Sequence, residues 1–400
     1  MTAALSAEAG TGTLSRCVAD VEAFLRSHWS RAPFVLARPG PAGFEDLLTL
    51  SDVDVILSTM PLRLPLFSMV QDGKPLDPRG FSSAGHQEPA GTPDALAVSE
   101  HFSRGATLIL YRLNRWWPPL VRFCRLLELE LTHPVTAAAF LTPARSQGLE
   151  VHRDDQEVFV LQTTGTKEWS VWGRPPGEPF LTGGVAREQL GDPVLSDVLR
   201  PGDCLYVPRG CPHVARGREE TSLHVSVGVH PVTYRDVLRR AVDTLRSPAL
   251  DEGLPPGFAH DGALPPELGR GLRSLAGALG GADPGELVEG VRQDHLRRQA
   301  PLLDGHLFDV GSLDLVDDVT VVGRRPGASL RLERNGPGQA ATAVVNHRRL
   351  PVTAEVAAAL EWVDKRSPLA VGDLAPQLDG DARHRLVGDL LRVGYLQLVR

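Results

Sequence analysis

Four hundred residues exceed what a single core ordinarily organises, and ~150 residues per domain points to two or three units. The composition, 42% hydrophobic and 23% charged, is that of a globular chain; 42 basic against 49 acidic residues, a formal charge of −7, exclude bulk attraction to nucleic acid or an anionic membrane. No run reaches ~18 uncharged apolar residues, the opening MTAALSAEAGTGTLSR lacks the build of a secretory signal, and Cys17, Cys124, Cys204 and Cys211 form no C-x-x-C pair, so we expect a reduced cytoplasmic protein without disulfides, structural zinc or a membrane span.

The first hundred residues read as short helical patterns, such as Val21 to His28, set among Pro- and Gly-broken loops like DGKPLDPRG at 72–80. GATLILYRLNRWW (105–117) predicts a strand, and PPLVRFCRLLELELT a helix started by Pro118 and Pro119. From Pro134 to His230 strand signals dominate: VTAAAFLT, EVFVLQTTG, KEWSVWG, CLYVPRG and SLHVSVGV, each bounded by Gly or Pro. Many short strands so punctuated indicate a sandwich or barrel. YRDVLRRAVDTLR (234–246) then predicts a helix, a connector with Pro248, Pro255, Pro256, Pro265 and Pro266 marks a boundary, and helices are expected over 265–279 and 284–299. The last ninety residues pair two alternating runs around Asn335-Gly336, followed by helices at 353–366, 369–375 and 381–392 and the strand YLQLV, a pattern that suggests a winged-helix module.

The chemistry concentrates in VHRDDQEVFV. On a strand, His152 and Asp154 share one face while Arg153 and Asp155 take the other, and the pair, ~7 Å apart along the backbone, can converge on one ion. His213, in RPGDCLYVPRGCPHVA, is read as lying on a Pro-bounded loop after an apolar strand and is the candidate third ligand, with His224 and His230 as alternatives. Two histidines and a carboxylate with open positions opposite suit non-haem Fe(II) and dioxygen; a zinc hydrolase would want a nearby base, and Glu157 falls on the wrong face for that role. Such an iron site needs an electron source, commonly 2-oxoglutarate, whose distal carboxylate requires a cation. Lys167, the sole lysine between residues 75 and 364, is the candidate.

The two stretches VTAAAFLTPARSQGLEVHRDDQEVFVLQTTGTKEWSVWG and LRPGDCLYVPRGCPHVARGREETSLHVSVGV resemble the JmjC-type cupin core of the ribosomal oxygenase family, 2-oxoglutarate- and Fe(II)-dependent protein hydroxylases. The resemblance covers residues 100–232. It implies an α+β architecture: a JmjC/cupin double-stranded β-helix (jelly roll) at 100–232 with an N-terminal α/β segment (1–99), a helical dimerisation segment (233–305) and a C-terminal winged-helix domain (306–400). It further implies that His152, Asp154 and His213 ligate Fe(II), that Lys167 holds the 2-oxoglutarate carboxylate and that Ser222 lies near the co-substrate. A protein or peptide substrate, such as a ribosomal protein, and a homodimer follow from it too. One departure stands out: where relatives often carry an N-x-Y-like strand, this chain has AAAF at 137–140.

Simpler roles compete. Asp155 and Glu157 are expected to be solvated or salt-bridged, Cys211 to pack, and Trp116, Trp117 and Trp169 to be core residues rather than cleft walls. Residues 346–400 hold eight basic and seven acidic side chains, too near neutrality for a phosphate-binding surface, so this unit is expected to be structural or protein-binding. The rival functions are hydroxylation of a biosynthetic peptide or small metabolite on the same core, and a non-catalytic cupin/winged-helix binding protein.

Overall fold

The computed structural model describes residues 12–38, 43–85, 88–174, 180–244, 253, 254, 256, 266–298, 301–334, 341–346 and 348–399, in two compact units, Met1–Pro231 and Val232–Arg400. Most of the opening segment, most of the Pro-rich connector and the Asn335-Gly336 turn lie outside the described residues.

The first unit runs α1 (Val21–Ser27), β1 (Phe34–Leu36), α2 (Leu50–Thr59), β2 (Phe67–Gln71), β3 (Lys74–Pro75), α3 (Ala95–Ser103), β4 (Thr107–Leu110), α4 (Pro118–Leu131) and β5 (Val135–Thr142). It continues with β6 (His152–Arg153), β7 (Glu157–Thr164), β8 (Lys167–Val171), β9 (Gly183–Gly184), β10 (Leu195–Leu199), β11 (Cys204–Val207), β12 (His213–Gly217) and β13 (Ser222–Val229). The strands form two antiparallel sheets, one of eight in the order β1-β11-β7-β13-β5-β4-β2-β3 and one of five in the order β10-β8-β12-β6-β9. The sequence pattern concealed β1 to β3: they are short and Pro- and Gly-flanked, β1 and β2 find partners in the distant β11 and β4, and β3 is a two-residue edge strand paired to β2. The N-terminal segment therefore extends both ends of the larger sheet.

Alternation along the strands divides the interior. In β7 and β11, Phe159, Leu161, Cys204 and Tyr206 face a large core shared with the helices, while Val158, Val160, Leu205 and Val207 face a smaller core that also holds Trp169, Val171 and Cys211 of the second sheet. Helix α4 packs Leu120, Phe123, Cys124 and Leu127, spaced as one helical stripe, into the large core. It starts at Pro118 and Pro119, whose missing N–H groups cost nothing in a first turn, and ends at Thr132 in the left-handed region (φ 55). Asp20 caps α1 through the Ala23 amide, and Thr49 with Asp52 closes a capping box on α2.

The second unit contains α5 (Tyr234–Thr244), α6 (Pro266–Gly280), α7 (Pro284–Arg298), α8 (His306–Gly311), β14 (Val321–Arg324), β15 (Leu330–Arg334), β16 (Ala341–Val345), β17 (Arg348–Val352), α9 (Ala354–Arg366), β18 (Leu369–Ala370), α10 (Gly380–Arg392) and β19 (Leu396–Leu398). β15, β16 and β17 make one antiparallel sheet, and β18, β14 and β19 another. Val322, Leu360, Val363, Leu391, Tyr395 and Leu396 build its core, and the buried Arg325 pairs with the buried Asp309. Among the described residues no helix is long and apolar enough to cross a membrane.

Candidate metal and co-substrate site

A cavity of about 590 Å³ opens between the two sheets, walled by β5, β7 and β13 on one side and β6, β8 and β12 on the other. Even-numbered residues of β5 and β13 (Thr136, Ala138, Phe140, His224, Ser226, Gly228) line it, because the odd ones are committed to the large core.

His152, Asp154 and His213 converge at this cavity, with one potential ligand atom from each lying within 4.8 Å of the others. β6 and β12 pair with His152 directly opposite His213, and the imidazole centroids are 4.3 Å apart. His213 is thus the first residue of a strand, not a loop residue. Its ladder partners β6 and β8 are long-range and leave no local signal. Strand β6 stops at Arg153, so Asp154 reaches the histidines from the turn that follows; its carboxylate oxygens lie 3.9 Å from His152 Nε2 and 3.5 Å from His213 Nε2.

The ring tautomers are set from behind. Nδ1 of His152 lies 2.8 Å from the Glu150 carbonyl and Nδ1 of His213 lies 3.1 Å from the Cys211 carbonyl. A carbonyl only accepts, so both Nδ1 atoms carry a proton, and Nε2 is the ring atom that each histidine turns to the Asp154 side for a metal. Burial, reinforced by His152 and opposed by Asp154, holds the His213 pKa down at about 4, leaving a neutral ring free to ligate.

Lys167, on β8, is 3% exposed and lines the same cavity. Its Nζ donates to Thr142 Oγ1 at 2.8 Å and lies 3.5 Å from His224 Nδ1, and among the described residues no carboxylate pairs with it. Burial lowers its pKa to about 7. His224, stacked on Phe140 with centroids 5.0 Å apart, is held neutral by burial and by the neighbouring ammonium. Trp169 fills the space between His224 and His213, and its indole N–H has no hydrogen-bond partner. An unpaired buried cation and an orphaned donor in one pocket fit an anionic, oxygen-rich guest.

The remaining candidates separate clearly. Ser222 is fully buried outside the cavity lining, its hydroxyl accepting from Gln162 Nε2 at 3.0 Å; the place beside Lys167 belongs to Thr142 and His224. Neither His224 nor His230 belongs to the ligand cluster, although both line the cavity. Glu157 is wholly buried rather than solvated, accepting from Tyr206 Oη at 2.5 Å, from the Arg209 amide at 3.0 Å and from the Ser30 hydroxyl. Cys211 is buried in the smaller core. Trp116 and Trp117 pack on the large core, whereas Trp169 is both a core residue and a cavity wall. At the AAAF departure, Ala138 and Phe140 put methyl and phenyl groups on the cavity wall.

Comparison with known proteins places these residues in context. The family model for the JmjC domain matches residues 114–237. The Drosophila persimilis bifunctional lysine-specific demethylase and histidyl-hydroxylase NO66 is 28% identical over 256 residues, 62% of this chain and 36% of that protein. Chicken (Gallus gallus) ribosomal oxygenase 1 is 31% identical over 241 residues, 58% of this chain and 39% of its own. The chain thus spans well under half the length of these relatives. Among solved structures, Escherichia coli YcfD superposes with a TM-score of 0.53 at 18% identity over 95% of this chain and 98% of its own. The ribosomal oxygenase YcfD in complex with cobalt and 2-oxoglutarate gives a TM-score of 0.51 at 19% identity, with the same coverage. Residues 114–237 thus match the JmjC domain model, and the chain is similar in sequence to the ribosomal oxygenases and in fold to YcfD.

Proposed function

We propose that the protein is a 2-oxoglutarate- and Fe(II)-dependent oxygenase that hydroxylates an amino-acid side chain of a protein or peptide, such as a ribosomal protein. The observation that carries this reading is the meeting of two Nε2 lone pairs and a carboxylate at one end of a cavity that holds an unpaired lysine. His152, Asp154 and His213 would hold the metal as a facial set, and Lys167 with Thr142 would hold the distal carboxylate of the keto acid. Bound there, the metal and keto acid would supply the oxidising power: one oxygen atom of dioxygen would go to the keto acid as it loses carbon dioxide to become succinate, and the other into a substrate C–H bond to give the alcohol. The protein's own part is placement. The Glu150 and Cys211 carbonyls fix the ring tautomers, Lys167 and Thr142 fix one end of the co-substrate, and Trp169 and Phe140, both against His224, keep that end dry.

The Fe(II) and 2-oxoglutarate assignment gains support from the YcfD complex, and the protein substrate from the names of the NO66 and ribosomal oxygenase relatives. We read residues 1–99 as a segment packing on the barrel, 100–232 as the catalytic core, 233–305 as a dimerisation segment and 306–400 as a winged-helix-like unit. The exposed Tyr234, Leu238 and Val242, one apolar stripe along α5, support a homodimer, and four free, buried cysteines agree with a cytoplasmic setting. The test is mass spectrometry of the proteome with and without the gene: one peptide should lose a single oxygen atom in the deletion strain and regain it on complementation by wild type, not by His152→Ala. No such peptide, or rescue by the variant, contradicts the reading.

A further inference from the structure

The cavity has a second polar end. Along β13, His224 opposes Phe140 and Gln162, whereas Gly228 opposes Thr136 and Val158, ~13 Å further along the strand. A glycine inside a strand weakens it, and here the sacrifice has a beneficiary: a Cβ on Gly228 would stand 1.9 Å from Gln156 Oε1. The bare backbone of Gly228 therefore seats the Gln156 carboxamide against the cavity wall. Thr136 Oγ1 lies 3.5 Å from Gln156 Oε1 and 3.0 Å from His230 Nε2, so carboxamide, hydroxyl and imidazole form a row. Among the described residues Gln156 Nε2 donates to none. Burial lowers the His230 pKa, against the pull of Asp155, which keeps this row uncharged.

Charge on the rest of the wall points the same way. Among the described lining residues the only carboxylate is Asp154, which belongs to the ligand cluster, while Lys167 and Arg112 are cationic. A guanidinium or ammonium entering here would shed water and, among the described lining residues, meet no carboxylate other than the ligand Asp154. An imidazole or carboxamide would meet the Gln156 donor and acceptor.

Resting on the functional reading above, we propose that Gln156 is the specificity-determining residue of the substrate end, and that it admits an uncharged side chain able to donate and accept a hydrogen bond, in preference to a cationic one.

The test uses the full chain loaded with cobalt(II) and 2-oxoglutarate, with the N-acetyl amides of histidine, glutamine, arginine and lysine as probes and paramagnetic relaxation of probe protons as the readout. Wild type should bind the histidine and glutamine probes about tenfold tighter than the cationic pair. Gln156→Ala should erase that difference, Gln156→Glu should reverse it, and Gly228→Ala, which displaces the carboxamide, should behave like Gln156→Ala. Equal or tighter binding of the arginine or lysine probe by wild type, binding of no probe, or an unchanged preference in Gln156→Glu overturns the proposal. The cobalt absorption spectrum separates two failures. If it does not respond to 2-oxoglutarate, the functional reading fails and takes this inference with it; if it responds and the preference is absent, only this inference fails.

Discussion

Lys167 Nζ stands 2.8 Å from Thr142 Oγ1, a buried ammonium held by a neutral hydroxyl and, among the described residues, by no carboxylate. Burying a charge without a counter-charge is costly unless a ligand supplies one. Lys167→Met should therefore weaken 2-oxoglutarate binding about a hundredfold, near 3 kcal/mol, while raising the melting temperature of the ligand-free protein. Calorimetric titration and thermal melting check the two halves, and a destabilised ligand-free variant would contradict the second.

The same lysine sets a pH dependence. Its folded pKa of about 7 lies below its unfolded value of 10.5, so between these limits the unfolded chain holds a proton that the folded chain lacks. Its contribution to ligand-free stability is complete above pH 10.5 and is lost as pH falls through 7, by about 5 kcal/mol in total. The stability gap between wild type and Lys167→Met, followed by urea unfolding, should narrow as pH rises over this window. A bound dicarboxylate restores the charge, so 2-oxoglutarate should take up a proton on binding above pH 7, with affinity falling about tenfold per pH unit. Titration in two buffers of different ionisation enthalpy measures the uptake.

Thr142 and Ser222 make a contrasting pair. Thr142→Val removes the hydroxyl that orients Lys167 and should lower 2-oxoglutarate affinity, by about 1 kcal/mol. Ser222→Ala removes a group bonded to Gln162 outside the cavity lining and should leave that affinity unchanged. Equal losses in the two variants would place Ser222 back at the co-substrate.

Glu157 is a stability element, not a base. Replacing it with Ala strands the Tyr206 hydroxyl, the Ser30 hydroxyl and the Arg209 amide in the interior, at a cost of about 3 kcal/mol or more in urea unfolding. Glu157→Gln, which keeps an acceptor, should cost less.

Much of this was legible in the chain. The strands of the core announce themselves through β-branched runs and Gly or Pro punctuation, and the order of H-x-D, lysine and distal histidine points to the site that His152, Asp154, Lys167 and His213 occupy. What escaped depends on partners far away in sequence. β1 is three residues long and becomes a strand only against β11, and His213 reads as a loop residue because its ladder is completed by β6 and β8. Parity of residue number separates Glu157 from the ligand face, but it says nothing of the Tyr206 hydroxyl that buries it. The place of Ser222 turns on the Gln162 side chain, and the role of Gly228 on Gln156, both contacts that no periodicity records.

The ligand triad itself gives the most direct measurement. Anaerobic addition of Fe(II) and then 2-oxoglutarate to the full chain should raise a weak visible charge-transfer band at one equivalent of each, which His152→Ala, Asp154→Asn and His213→Ala each abolish and Cys211→Ala leaves intact. A band that persists without His213, or no band in the wild-type protein, would contradict a metal centre built from these three side chains.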